Sequence, residues 1–494
     1  MDTDPVIKWA MSLTACLFLS FSALASNLPD LQPKPKIVRW EKEKGRLEPL
    51  EVLRTGGESA EEAVLLDSLA KGLPSGDLPA EGYLIQVGPK GSLILAKDDA
   101  GERWARQTLG QLFAGRKKAP QVRVADWPDF PLRGFHLIPY TPLALPAMKR
   151  LVRDFLVPLR CNFFVFEIDY AFEFKSHPEV REKVFFTQEQ IRDFVAYCRG
   201  FGIRVIPEIN CLGHQSWKAE GIEALLKAHP EFEEIPDGKI PQTDLKSDRF
   251  YCRSWCPLHP GVNQVVFALM DELIDAFQSD GFHVGMDEVF VIGSSLCPRC
   301  KGRKPADLYA KAVTDLHEHL KAKDQQMFMW GDRLLNAKDM KESEWQASEN
   351  GTDQALARIP KDIVVADWHY NYRPDYPSLS IFIKAGFRVM PTTYSDARGS
   401  AQFVKKAKNL GDALVLGPLT TVWFGALEAA ASAFPDDASI RGLDPETGEI
   451  LPREKWPPVN EGGARILQAV RAGLVMAWNA ESPEESPFKP YAWK

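Results

Sequence analysis

The chain has 494 residues, of which 45% are hydrophobic and 26% charged, proportions near the globular average that exclude a disordered, collagen-like or coiled-coil protein. Its 60 basic and 67 acidic residues give a net charge of −7, so there is no electrostatic reason to expect a nucleic-acid partner, whose footprint is a basic patch. At roughly 100–200 residues per domain the length exceeds one core, and a large domain with a smaller companion is expected.

Residues 9–25 are mostly apolar (WAMSLTACLFLSFSALA), follow Lys8 and end in Ala23-Leu24-Ala25, the small-x-small pattern that signal peptidase reads. Residues 1–25 are therefore expected to be a cleaved export signal, and the protein to be periplasmic or extracellular. Asp2 and Asp4 offset the usual positive flank, and Leu13-Thr14-Ala15-Cys16 offers the alternative of a lipoprotein box. No later segment reaches the roughly 20 apolar residues that a transmembrane helix needs.

Residues 26–125 read as a small α/β unit. A Pro- and Lys-rich lead and a charge run at 41–46, expected to be an exposed face, precede an acidic helical stretch near Glu58 to Ala70. The stretch 81–97 (EGYLIQVGPKGSLILAK) alternates apolar and polar residues on both sides of a Gly-Pro-Lys-Gly turn, which predicts a β-hairpin. Over 99–113, Trp104, Leu109, Leu112 and Phe113 share one helical face. The two prolines of Asp126-Trp127-Pro128-Asp129-Phe130-Pro131 mark the inter-domain linker.

From Leu132 the pattern becomes short apolar runs alternating with helical stretches. The runs lie at 132–140, 161–169, 203–210, 281–289, 327–335, 363–370, 387–395 and 417–425. Eight such units predict a (β/α)8 TIM barrel over 126–480, leaving a tail at 481–494. The fold class expected is thus α/β, a barrel preceded by a small α+β domain. A doubly wound open sheet, the alternative, calls for a Gly-rich first turn that is absent.

Removing the signal leaves seven cysteines, Cys161, Cys198, Cys211, Cys252, Cys256, Cys297 and Cys300. Cys252-x3-Cys256 and Cys297-x2-Cys300 form two close pairs, suited to a four-thiolate zinc site or to disulfides; export favours disulfides, and either role is structural.

A barrel carries its active site at the C-terminal ends of the strands, and here those ends are unusually polar. In order they supply Glu167 and Asp169; Glu208, Asn210 and His214; Asp287 and Glu288; Trp330 and Asp332; Asp367, Trp368, His369 and Tyr370; Tyr394 and Asp396; and Trp423. Any one such carboxylate can instead cap the following helix. Carboxylates set among indole and phenol rings suit a sugar: aromatic faces stack on pyranose rings while carboxylates bind hydroxyls and move protons. Asp287-Glu288 is the sharpest pair, since adjacent strand residues point to opposite sides and acquire different environments. His283 shares the strand face of Asp287 and is expected to help hold that lip; His317 and His319 read as solvated helix positions.

His283-Val284-Gly285-Met286-Asp287-Glu288 resembles the H-x-G-G-D-E signature of glycoside hydrolase family 20, the β-N-acetylhexosaminidases, with Met286 in place of the second glycine. Leu132-Arg133-Gly134, Pro207-Glu208-Ile209 through Gly213-His214, and Tyr394-Ser395-Asp396 resemble further family segments in the same chain order, and the hairpin-helix unit resembles the family's preceding domain. The resemblance implies substrate-assisted, retaining hydrolysis of terminal N-acetylhexosaminides without metal or organic cofactor. It casts Glu288 as general acid/base, Asp287 as the residue orienting the substrate's 2-acetamido group, and Tyr394 as the donor to its carbonyl oxygen. It further casts Arg133 and Asp396 as binding ring hydroxyls, Trp368 and Trp423 as pocket walls, and Asp169 with His214 as a dyad behind Glu288; Trp330, from its strand end, is a further candidate to bind the substrate.

The chain departs from the family pattern at His136-Leu137-Ile138, where an aspartate is common near 138, at Glu167-Ile168-Asp169, and at Phe424-Gly425, where the typical W-x-E has a glutamate. These changes resemble the divergent hexosaminidase D-like branch and leave gluco versus galacto preference open. Two further readings stand beside the first: a catalytically weak carbohydrate-binding protein, and a glycosidase for sugars without an acetamido group.

Overall fold

The computed structural model describes residues 29–56, 73, 77–217, 221–235, 252–444, 447–456 and 460–482. The expected export signal, the acidic stretch at 58–70 and nearly all of the tail at 481–494 lie outside the described residues. The chain divides into two compact units after Pro128.

The first unit is a five-stranded sheet of β1 (Ile37–Gly45), β2 (Leu50–Arg54), β3 (Tyr83–Val87), β4 (Ser92–Ala96) and β5 (Ala119–Asp126), in the order β1-β5-β3-β4-β2. The hairpin read at 81–97 is β3 and β4, paired antiparallel from Tyr83 opposite Ala96 to Val87 opposite Ser92. Helix α1 (Asp99–Phe113) begins where Asp98 accepts a hydrogen bond from the Gly101 N–H at 2.8 Å, and buries Trp104, Leu109, Leu112 and Phe113. The charged run lies in β1, with Glu41, Glu43 and Lys44 exposed.

The second unit is a closed barrel of eight parallel strands: β6 (Gly134–Leu137), β7 (Phe163–Glu167), β8 (Arg204–Cys211), β9 (Gly281–Gly285), β10 (Gln326–Trp330), β11 (Val364–Trp368), β12 (Arg388–Thr393) and β13 (Leu419–Val422). They follow chain order, and β13 closes on β6 with Leu419 opposite Gly134. Each crossover carries helical structure: α2 (Leu145–Leu151), α3 (Gln188–Gly200), α4 (Val262–Phe277) and α5 (Pro305–Lys321) follow β6 to β9. Short turns around Asp332–Leu334 and Ala337–Met340 follow β10; α6 (Pro377–Lys384) and α7 (Ala397–Leu410) follow β11 and β12, and α8 (Ala426–Ala433) and α9 (Glu461–Trp478) follow β13. Among the described residues no helix is long and apolar enough to cross a membrane.

Strands covered on both faces read as continuous apolar runs, and Phe163-Phe164-Val165-Phe166 is one. Phe164 and Phe166 pack outward with the helices, whereas Phe163 and Val165 join Ile206, Phe328, Trp330, Val364, Ala366 and Trp368 in a separate cluster that fills the barrel. The period of two then sends the next residue of each inward series to the C-terminal mouth. Glu167 follows Val165, and Glu208 follows Ile206. Apolar residues thus seal the lower barrel and polar ones crown it.

Candidate active site

Four inward side chains from consecutive strands form the floor of the mouth. His136 (β6) places Nε2 2.8 Å from Glu167 Oε2 and 3.2 Å from Glu208 Oε2, and His283 (β9) places Nδ1 2.8 Å from Glu208 Oε1. Asn210 Nδ2 donates to Glu167 Oε1 at 2.7 Å, and the Trp330 indole donates to Glu208 Oε1 at 3.0 Å. All four ionisable side chains are fully buried. Burial works against the charged form of His136, but hydrogen bonds to Glu167 and Glu208 outweigh it and raise its pKa to about 9. Burial likewise raises Glu208, yet the charge of His283 and the contact with His136 pull its carboxyl down to about 2. Glu167 moves the other way, pushed up chiefly by burial.

Above this floor β9 ends at Gly285, where a side chain would collide with Asn210, its Cβ only 2.4 Å from Asn210 Oδ1. The backbone stays left-handed through Gly285 (φ 63°) and Met286 (φ 75°), and again at Glu288 (φ 48°). A non-glycine residue held there is strained by roughly 1–2 kcal/mol. Fixed hydrogen bonds hold the turn: Tyr309 donates to the Met286 carbonyl at 2.8 Å, and the Glu288 N–H donates to Asp332 Oδ2 at 3.0 Å, which also receives Arg333 Nε at 2.7 Å.

Past the strand end the expected divergence of Asp287 and Glu288 does not occur. The left-handed turns bring both carboxylates to one imidazole: His214 Nε2 lies 3.2 Å from Asp287 Oδ2 and 3.1 Å from Glu288 Oε2. The other nitrogen, Nδ1, faces Cys252 Sγ at 3.2 Å, and Cys252 also reaches Glu288 Oε2 at 3.5 Å. Burial opposes charge on His214, but Asp287 and then Cys252 overcome it and set its pKa well above the ordinary value. Asp287 Oδ1 is buried without a hydrogen-bond partner.

Asp287, Glu288 and His214 line a cavity of about 210 Å³ with Glu167, Asn210, Trp217, Trp330, Trp368, Tyr370 and Trp423. Trp368 and Tyr370 stack with centroids 4.9 Å apart, and the Trp423 indole donates to the Tyr370 hydroxyl at 2.9 Å. The cavity therefore gathers Asp287, Glu288, His214, Trp330, Trp368 and Trp423 as the sequence suggests. Tyr370, Glu167 and Asn210 were visible as polar strand ends without an assigned role; Trp217 lacked any signal, and Cys252 was read only as one of the paired structural cysteines, since the loop path alone brings it to His214 and Glu288.

Four expected site residues lie elsewhere. Arg133 is buried at the opposite, N-terminal end of β6, donating Nε to the Arg160 carbonyl at 2.7 Å and Nη1 to the Phe130 carbonyl at 2.9 Å; it ties strand beginnings together. Asp396 caps α7 through the Arg398 N–H at 3.0 Å and accepts the Tyr372 N–H at 2.8 Å, so the capping alternative is the one realised. Tyr394 is not on the cavity wall: its ring meets the edge of Tyr370 at 5.3 Å. Asp169 forms no dyad with His214. It accepts the Asn210 N–H at 2.8 Å and lines a neighbouring cavity of about 540 Å³, which shares only Glu167 and Trp217 with the first.

The cysteines also regroup. None of the seven is in a disulfide, and Cys252 is drawn to the active site while Cys256, Cys297 and Cys300 converge on Glu234. His317 and His319 are not solvated; they pair with Asp362 at 2.8 Å and Asp271 at 2.9 Å.

A closed parallel barrel with paired carboxylates and a wall of indoles at its C-terminal mouth has the layout of a glycoside hydrolase. The chain belongs to glycosyl hydrolase family 20: the family's catalytic-domain model matches residues 168–431 and its domain 2 model matches residues 32–127. Among curated relatives, a lacto-N-biosidase of Bifidobacterium bifidum is 24% identical over 329 residues, covering 64% of this chain and 26% of that protein. A β-hexosaminidase of Porphyromonas gingivalis is 24% identical, covering 58% and 40%, and one of Akkermansia muciniphila is 26% identical, covering 50% and 52%. The chain thus spans about a quarter to a half of the length of these relatives. Solved structures share the fold: a β-N-acetylhexosaminidase of Bacteroides fragilis matches with a TM-score of 0.59 and 19% identity over 92% of both chains. A chitobiase of Flavobacterium johnsoniae matches with a TM-score of 0.58 and 19% identity over 92% of this chain and 74% of that one.

Proposed function

We propose that this protein is an exo-acting β-N-acetylhexosaminidase that removes terminal GlcNAc or GalNAc with retention of configuration, using the substrate's acetamido group as nucleophile. The observation that carries this is Asp287 beside Glu288 on the wall of one indole-lined cavity; Asp287 Oδ1, which has no hydrogen-bond partner, would accept the acetamido N–H. In the first step the Glu288 carboxyl gives its proton to the glycosidic oxygen as the C1–O bond breaks, while the acetamido carbonyl oxygen bonds to C1. Asp287 stabilises the resulting oxazolinium ion. Water then bonds to C1, passes a proton to Glu288 and releases the acetamido oxygen. Tyr370, the phenol on the cavity wall, takes the place of Tyr394 as donor to that oxygen. Glu167 and Asn210 bind ring hydroxyls from the floor, and Trp330, Trp368 and Trp423 enclose the sugar. Export belongs to the same proposal, resting on the apolar segment that ends at Ala25; a mature N-terminus at Ser26 in the secreted protein would support it.

The test is hydrolysis of an aryl β-N-acetylglucosaminide and an aryl β-glucoside by the wild type, Glu288→Gln and Asp287→Asn. Turnover of the acetamido sugar alone, reduced more than about a hundredfold in Asp287→Asn and partly rescued in Glu288→Gln by a better leaving group, is the expected result. Preference for the plain glucoside, or sugar binding without turnover, overturns the proposal.

A further inference from the structure

We propose that Glu234, Cys256, Cys297 and Cys300 bind a structural zinc ion that fastens the loops behind the active site, a donor set different from the four thiolates suggested by spacing alone. Cys256 Sγ lies 3.3 Å from Cys300 Sγ and 3.5 Å from Cys297 Sγ, and all four donor atoms fall within 4.8 Å of one another. A tetrahedral zinc ion with Zn–S near 2.3 Å separates its donors by roughly 3.5–3.8 Å, so the cluster needs little movement to close on the ion. The Cys300 N–H points at Cys297 Sγ at 3.4 Å, as suits a turn that presents both sulfurs of a Cys-x2-Cys pair to one centre.

Glu234 supplies the second, independent observation. It is fully buried; Oε1 accepts the Ser294 N–H at 2.9 Å, while Oε2 is buried with no hydrogen-bond partner. A carboxylate oxygen left in this state is costly unless a cation meets it. One bond spent on a backbone N–H and one oxygen free for the metal is the arrangement of a ligating carboxylate held by its surroundings. A disulfide would use two of the three thiols and leave a single thiol to face the buried Glu234 carboxylate. Binding releases the three thiol protons to solvent and involves no redox step. Four protein donors fill a tetrahedron and leave no open position, so the role is structural.

The staple has a purpose in the fold. Cys297 and Cys300 follow the Asp287-Glu288 turn, and Cys256 ends the segment that carries Cys252. That segment is bonded to the His214 loop through Trp255 N to the Leu212 carbonyl at 3.1 Å and Gln215 N to the Arg253 carbonyl at 3.0 Å. The ion would therefore fix the loop that presents Cys252 to His214 and Glu288.

The test is elemental analysis of the full chain produced with added zinc and kept reduced, beside Cys256→Ser, Glu234→Gln, Cys252→Ser and Cys198→Ser. About one zinc per chain is expected in the wild type, Cys252→Ser and Cys198→Ser, with loss in Cys256→Ser. In Glu234→Gln, affinity measured by chelator competition should fall about tenfold or more. Cobalt exchanged into the wild type should give the intense visible bands of a tetrahedral site with sulfur charge transfer, a readout that does not depend on any variant folding. Wild type without zinc and without a cobalt spectrum, iron in place of zinc, a Cys256–Cys300 disulfide in the zinc-loaded protein, or loss of zinc in Cys252→Ser equal to that in Cys256→Ser would each overturn this donor set.

Discussion

Cys252 Sγ stands 3.5 Å from Glu288 Oε2, so a buried thiol donates to a carboxylate on the wall of the cavity. A thiol is a weak donor, yet this one also faces His214 Nδ1 and so braces both partners of the Glu288 contact. Cys252→Ala should lower kcat/KM on an aryl N-acetylglucosaminide by up to about tenfold, the scale of one modest hydrogen bond. Cys252→Ser, which keeps a donor, should lose less. Steady-state kinetics that leave the alanine variant equal to wild type would remove Cys252 from the site.

Asp332 holds Glu288 by its backbone rather than its side chain, accepting the Glu288 N–H at 3.0 Å while Arg333 anchors it. The residue so held has a left-handed backbone, φ 48°, a conformation that persists only where surrounding bonds over-determine it. Asp332→Ala should reduce kcat by about tenfold to a hundredfold, the range for losing a hydrogen bond to a charged acceptor, with KM nearly unchanged. An effect confined to KM would mean that Asp332 acts on the sugar instead.

Arg133 offers a clean separation of stability from binding. Because its guanidinium donates to the Arg160 and Phe130 carbonyls at the foot of the barrel, Arg133→Met should remove two buried hydrogen bonds, at about 1–3 kcal/mol each. Calorimetry should record a loss of several degrees in Tm, while KM of the surviving enzyme stays within about twofold of wild type. A raised KM without thermal change would restore the hydroxyl-binding role that the family resemblance suggested.

The floor of the mouth should impose a pH signature on stability. His136 is raised to about 9, so its contribution is complete below its ordinary value of 6.5 and fades as pH climbs through 9. Glu208 is lowered to about 2, so its contribution is complete above 4.5 and fades as pH falls through 2. The ion pair therefore acts at full strength between 4.5 and 6.5. The Tm difference between wild type and His136→Gln, followed by thermal melts, should be largest in that window and shrink toward pH 9 and above. A difference that widens with rising pH would contradict a charged His136.

The barrel was legible because its signal is local: eight apolar runs, each ending in polar residues, need only the period of two and the rule that sites sit at strand C-termini. The same locality explains which site residues were found. Asp287, Glu288, His214, Trp330, Trp368 and Trp423 end strands or follow them closely, and all line the cavity. The misplacements have one cause. Arg133 precedes a strand, Asp396 caps a helix, Asp169 lines the neighbouring cavity and Tyr394 packs against Tyr370; a strand end has several directions available, and backbone φ with neighbouring donors selects among them.

By itself the sequence determined the fold class, the polar crown of the barrel and the pair of carboxylates at 287 and 288, all encoded in residue type and spacing. Only the tertiary structure decided which groups meet. Left-handed turns at Met286 and Glu288 swing both carboxylates onto His214, the 252–256 segment divides its two cysteines between the active site and Glu234, and Tyr370 rather than Tyr394 reaches the cavity. Such convergence depends on loop paths and single dihedral angles, which composition and periodicity do not record.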